Sequence, residues 1–346
     1  LAVADFVFLS HIHCLNMPAD RKSCKYSGVV IQARDDGSRV VDCCHLWGEP
    51  LIRATTLEQL NGKLQHLFTP EGVEAGLRFK PRPTDIIISP FSKCGTTWMQ
   101  QTVHGLRTRG SMNFGEITEV TPWLEAASDL GQNLDAEQVT TPRAFKSHLP
   151  WDNVPKGGKY ICVFRDPIRA LVSMYQFFDG WLIEPGAISF ESFAYDHFLA
   201  RQAPRGYWHH LVSWLSQKDN DEVLLLCYEQ LQDSFEPALE RIATFIDIAL
   251  DDELVKIVHH QSSLTFMQQH GSHFDDHFLR QQRNPAMELG PENLSSKVSS
   301  ALSRAARPEP SQALVKDMQA RWDQDVRSVT GLKNYAALLQ QITDQR

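Results

Sequence analysis

Residues 85–109, DIIISPFSKCGTTWMQQTVHGLRTR, constrain the fold more than any other stretch of the chain. Three consecutive isoleucines, Ile86, Ile87 and Ile88, read as a short buried strand. Ser89 to Gly95 break that pattern, and a helical pattern starts at Thr96, Thr97 and Trp98. Strand, loop and helix in that order gather backbone N–H groups at a helix N-terminus, where donors and dipole together hold a phosphate-like anion. Gly95 lets the backbone come close, Thr96 and Thr97 add hydroxyls, and Lys93 adds a mobile charge. The ordinary phosphate-loop signature has its lysine directly after the glycine. Here Lys93 precedes Gly95 by two places.

The rest of the chain fits the same architecture. Strand patterns at 143–148, 159–165 and 222–228 alternate with helical patterns at 97–108, 118–130, 167–178, 189–200, 207–216 and 236–245. Leu57, Leu60, Leu64 and Leu67 predict a further amphipathic helix ahead of them. Strands alternating with helices predict an α/β fold, a single P-loop-like domain with a central parallel sheet flanked by helices. Residues 1–50 show no sustained period and are read as an irregular N-terminal extension, leaving 51–346 as the main domain. Parallel sheets bind ligands at the carboxyl ends of their strands. Lys146 and His148, two residues apart, emerge there on one side, and Arg165 ends the next strand. Asp166 and Pro167 then make a helix start, with Ser173 two turns along.

Composition narrows the function classes. Lys plus Arg total 34 against 42 Asp plus Glu, a formal net charge of -8. That balance speaks against a nucleic-acid partner, which needs an extended basic face. No apolar run approaches the roughly 18 residues of a membrane helix, so no membrane partner is expected. Seven cysteines suit a reducing, cytoplasmic setting better than a disulfide framework. Cys14, Cys24, Cys43 and Cys44 lack the C-x2-C spacing of a zinc site. His270, His273 and His277 with Asp275 and Asp276 read as a solvated loop and helix start, so no metal is expected. Trp208, Trp214, Tyr175, Phe177 and Phe178 read singly as core.

The order Lys93-Cys94-Gly95-Thr96-Thr97-Trp98 resembles the 5'-phosphosulfate loop of the cytosolic sulfotransferase family, Tyr-Pro-Lys-Ser-Gly-Thr-Thr-Trp. Residues 91–98 match it at five of eight positions. The likeness continues in family order. Phe145-Lys146-Ser147-His148-Leu149-Pro150 resembles the Lys-Thr-His-Leu-Pro stretch that carries the family's catalytic base. Residues 163–167 with Ser173 resemble the segment gripping the cofactor's 3'-phosphate. Leu226-Cys227-Tyr228-Glu229 and Ser262-Ser263-Leu264 resemble the two segments beside adenine.

The resemblance implies transfer of a sulfuryl group from 3'-phosphoadenosine 5'-phosphosulfate (PAPS) to a hydroxyl or amine of a small acceptor, without a metal. His148 would remove the acceptor proton while Lys93 and Lys146 stabilise charge on the leaving phosphate. Trp123, Tyr175 and Phe177 imply an apolar or aromatic acceptor pocket, with Glu125 orienting the acceptor. Three departures stand out. Cys94 replaces a serine, Leu264 stands where phenylalanine is usual, and the family's late basic-x-Gly loop has no glycine counterpart. Lys297 is its nearest equivalent, with Arg304 and Arg307 as neighbouring cations. Two other readings stay open at this point: a non-catalytic 3'-phosphonucleotide binder, and a P-loop kinase or NTPase, disfavoured by the lysine's position.

Overall fold

A computed structural model describes residues 53–201, 206–290, 293, 297–298 and 307–344, together with the backbone of three short strands nearer the start. Cys14, Cys43, Cys44 and Arg304 lie outside the described residues. The chain divides into two compact units, Leu1–Ile52 and Arg53–Arg346. In the first, β1 (Ser23–Tyr26), β2 (Val29–Ala33) and β3 (Arg39–Asp42) pair antiparallel in that order. Three short strands thus lie within the stretch read as having no sustained period. The β-branched runs Val29-Val30-Ile31 and Val40-Val41 favour extended backbone, but each is too short to show a period.

The second unit is built on four parallel strands, β4 (Ile86–Ile88), β5 (Ala144–Lys146), β6 (Lys159–Phe164) and β7 (Val223–Cys227), in the order β5-β4-β6-β7. Both faces are covered, which explains the apolar runs. Ile87, Phe145, Tyr160, Cys162 and Leu225 pack into one core, while Ile86, Ile88, Ile161, Val163 and Leu224 pack into the other. The two-residue alternation of a strand makes that division. At the opposite end from the loops, Asp85 takes both Nε and Nη2 of Arg143 at 2.9 and 2.6 Å, a buried bidentate pair that locks β4 to β5 in register.

Both sheet neighbours of β4 come later in the chain, so their connections leave in opposite directions and open a crevice at its carboxyl end. The loop after β4 occupies that switch point and leads into the Thr96–Thr108 helix. The Pro167–Phe178 helix starts as expected, with the Asp166 side chain accepting from Arg169 N and Pro167 in the first turn. One expected helix is wrong. Only Ile117–Val120 is helical in 118–130, because Pro122 has no N–H and biases Thr121 away from helical geometry. The chain instead bridges to β5, Leu124 N donating to Lys146 O and Lys146 N to Pro122 O. The helix expected at 189–200 is Phe190–Phe193 followed by a π-helical stretch, Ala194–Leu199. Among the described residues no helix is long and apolar enough to cross a membrane.

Candidate active site

The loop between β4 and its helix is shaped by two residues in the left-handed region, Lys93 at φ 69° and Gly95 at φ 96°. For Gly95 this costs nothing, and a Cβ there would lie 2.9 Å from Tyr228 Cδ2, so both the fold and the space call for glycine. Lys93 adopts it against its preference, held by Arg165 Nη1, which donates to Lys93 O at 2.6 Å. Arg165 in turn lies over the Tyr228 ring, 4.2 Å from its centroid. The ends of β4, β6 and β7 are thereby tied together around the loop.

A cavity of about 550 Å³ opens over this loop. Lys93, Gly95, Thr96, Thr97, Trp98, Trp123, Lys146, His148, Arg165, Ser173, Phe177, Tyr228, Ser262, Leu264 and Lys297 all line it. Thr96 Oγ1, Trp98 Nε1 and Arg165 Nε are buried and have no protein partner. Unpaired buried donors are costly, and several in residues that line one cavity fit an anionic, hydrogen-bonding ligand. Trp98 stacks on Phe235 with centroids 5.5 Å apart and meets Tyr228 edge-on, leaving an aromatic wall where Leu264 supplies none.

Three expected site residues do not line the cavity. Cys94 is fully buried with its thiol pushed up to about 12 by burial, so it packs in the core. Tyr175 donates to Ile188 O at 2.9 Å and packs on Phe190 and Phe193. Glu125 accepts the His148 backbone N–H at 2.8 Å, so it holds the catalytic candidate's main chain from behind, and burial raises its carboxyl. Lys297 also lines the cavity. It is fixed by Asp276 at 2.5 Å and Glu116 at 3.0 Å, and its charge acts on Lys93 and Lys146.

His148 Nδ1 lies 2.8 Å from Pro90 O, and Trp123 meets the His148 ring edge-on at 5.1 Å. Burial, then the Lys146 charge, lower its pKa to about 3, so the ring is neutral. Lys146 sits over the Trp123 ring at 3.6 Å and Lys93 over Phe177 at 3.7 Å. Burial lowers Lys93 to about 7, with Arg165, Lys297 and Lys146 adding to it, and Lys146 to about 8, with Lys297 adding to it.

Sequence reasoning missed Arg169, Asp276 and His259, which also line the cavity. Arg169 had a signal, because 165, 169 and 173 are spaced by four across the start of one helix. Asp276 had none, since its burial depends on a contact to Lys297. Of the histidine cluster read as a solvated loop, His270 stacks on Phe266 at 4.1 Å and His277 pairs with Asp275 at 2.8 Å.

The sulfotransferase domain model matches residues 83–293. Human sulfotransferase 1E1 is 28% identical over 235 residues, covering 64% of this chain and 79% of that protein. Dog sulfotransferase 1B1 is 31% identical over 198 residues, covering 54% and 67%. The solved mouse sulfotransferase SULT7A1, complexed with PAP, superposes with a TM-score of 0.56 at 16% identity over 81% of this chain and 95% of that one, a likeness of fold. With the family domain spanning the loop, the β5 end and the β6 end alike, this chain belongs to the sulfotransferase family.

Proposed function

We propose that the protein moves a sulfuryl group from PAPS to a hydroxyl or amine of a small acceptor with an apolar or aromatic body. The observation that carries this is the convergence of Lys93, Lys146 and a neutral His148 on one cavity whose loop leaves buried donors unpaired. Solved relatives of like fold, mouse SULT7A1 and retinol dehydratase, are complexes with PAP, which supports the choice of donor.

When bound, the donor supplies an electrophilic sulfur and a phosphate leaving group. Gly95, Thr96 and Thr97 would hold its 5' end through backbone and hydroxyl donors, while Arg165 and Ser173, with Arg169 beside them, would take a second phosphate. Lys93 and Lys146 place positive charge where negative charge develops as the sulfur–oxygen bond on the phosphate side breaks. His148 Nε2 accepts the acceptor's proton as the new bond to sulfur forms. The neutral His148 is already in its accepting state, and a nearby anion would raise its proton affinity. Trp123, Phe177, Phe178 and Trp181 give the acceptor side an aromatic lining that favours a ring or apolar body.

The test is a transfer assay with labelled PAPS and a panel of phenols, alcohols, steroids and amines, run with and without chelator. The reading expects labelled product from at least one apolar or aromatic acceptor, undiminished by chelator. Binding of PAP without transfer to any acceptor would leave a nucleotide binder.

A further inference from the structure

Among the described residues that line the cavity, Asp276 is the one carboxylate. Its side chain is buried, its backbone sits in the left-handed region at φ 62°, and it lies 2.5 Å from Lys297 Nζ. Lys297 is held on its other side by Glu116, which is itself fully buried, at 3.0 Å. Lys93, Lys146 and Lys297 all line the same cavity as Asp276.

We propose that Asp276 is the counter-charge that keeps Lys93 and Lys146 cationic in the free protein, a positioning residue for the anionic donor. The inference rests on the donor reading above. Ammonium groups taken out of water and set near one another lose protons unless an anion answers them. The charges facing Lys93 are Asp276, Arg165, Lys297 and Lys146; those facing Lys146 are Lys297, Asp276, Glu116 and Glu125. His148, neutral, also feels Asp276 and Lys146. Asp275, the residue before Asp276, pairs elsewhere, with His277 at 2.8 Å and Arg280 at 3.5 Å.

Asp276 is shared by all three lysines. Burial opposes its charge, but Lys297, Lys146 and Lys93 outweigh burial and hold its carboxyl below the usual range. Its close partner is Lys297, and among the described residues no ion pair within 4 Å joins it to Lys93 or Lys146. It therefore acts on those two charges across the shared cavity, without a direct ion pair, and leaves their N–H donors to a ligand. Even so, burial leaves Lys93 at about 7 and Lys146 at about 8, at the edge of discharge near neutral pH. Without the carboxylate both fall further.

Calorimetric titration of adenosine 3',5'-bisphosphate tests this between pH 6.5 and 9, in buffers of differing ionisation enthalpy so that proton uptake is read directly. Above about pH 7 the nucleotide's own phosphates are essentially fully ionised, so further change comes from the protein. For the wild type the account expects affinity to fall as pH rises through 7 to 8, with protons taken up on binding. In Asp276→Asn the fall should begin about one pH unit lower, giving about tenfold weaker binding at pH 7.5 and larger uptake. Asp276→Glu should restore most of the wild-type profile. Glu116→Gln should shift it less, because Glu116 faces Lys146 and not Lys93. An unchanged profile in Asp276→Asn would overturn the proposal, as would an equal shift in Glu116→Gln, which would mean that Asp276 acts only by holding Lys297. Wild-type binding without proton uptake would overturn it whatever the variants do. Absence of nucleotide binding to the wild type would instead strike the donor reading itself.

Discussion

The Nδ1 atom of His148 lies 2.8 Å from the carbonyl oxygen of Pro90. A carbonyl oxygen only accepts, so the proton sits on Nδ1 and the lone pair on Nε2. Pro90 begins the loop whose N–H groups are proposed to bind the donor. One segment thus fixes the tautomer of the proposed base and the seat of the leaving group, which couples the two halves of the reaction in a single rigid geometry.

Arg165 braces the loop at Lys93 O and lines the cavity, its Nε buried and unpaired. PAP should therefore raise the melting temperature more than ATP with magnesium does, since binding to the native state alone stabilises it. Arg165→Met should weaken PAP by about one to two orders of magnitude, the worth of a lost charge-assisted contact. Thermal shift with both nucleotides checks this, and equal shifts from ATP and PAP would count against a site built for a 3'-phosphate.

Gly95→Ala should damage the loop twice, through φ 96° and through a Cβ set 2.9 Å from Tyr228 Cδ2. A cost of about 1–3 kcal/mol follows from backbone strain of this kind, and PAP affinity should fall at least tenfold. Gly131→Ala is the comparison, because Gly131 has φ 68° but no heavy atom within 4 Å of an added Cβ. It should lose some stability and keep its PAP affinity, as read by melting and titration of both variants.

Stability should decline in mild acid. Burial lowers His148, His197 and His210 to about 3 and His104 to about 4, with Arg107 repelling His104 and Arg201 repelling His197. The unfolded chain protonates these rings near 6.5, so between there and 4 it binds more protons than the folded one. Stability is full above about pH 6.5 and is lost as pH falls below it, by up to about 1.4 kcal/mol per ring per pH unit. Calorimetric melting at pH 7.0, 5.5 and 4.5 should show a falling midpoint, with a shallower fall in His197→Gln. A midpoint independent of pH would mean that these rings are not buried neutral.

Local patterns carried much of the fold. The isoleucine run, the break at Ser89 and the helix at Thr96 are written in neighbouring residues, and so is the Asp166-Pro167 helix start. The expected 118–130 helix failed because a period was followed across Pro122. For the site, residues carried by strand ends arrive where strand geometry sends them, as Lys146 and His148 show by lining one cavity. The ion pairs of Lys297 were not legible, because Glu116 lies 181 residues away and no spacing records such a contact. Glu125 reads as a pocket acid in sequence, whereas its carboxylate takes the His148 backbone N–H and does not line the cavity.

The most direct test is single-turnover transfer of label from PAPS by the wild type and by His148→Ala, with PAP affinity measured on the same preparations. The account predicts that His148→Ala loses at least ~100-fold in the transfer step while PAP affinity stays within about twofold, the signature of a missing base in an intact donor site. Near-normal transfer by His148→Ala would contradict it.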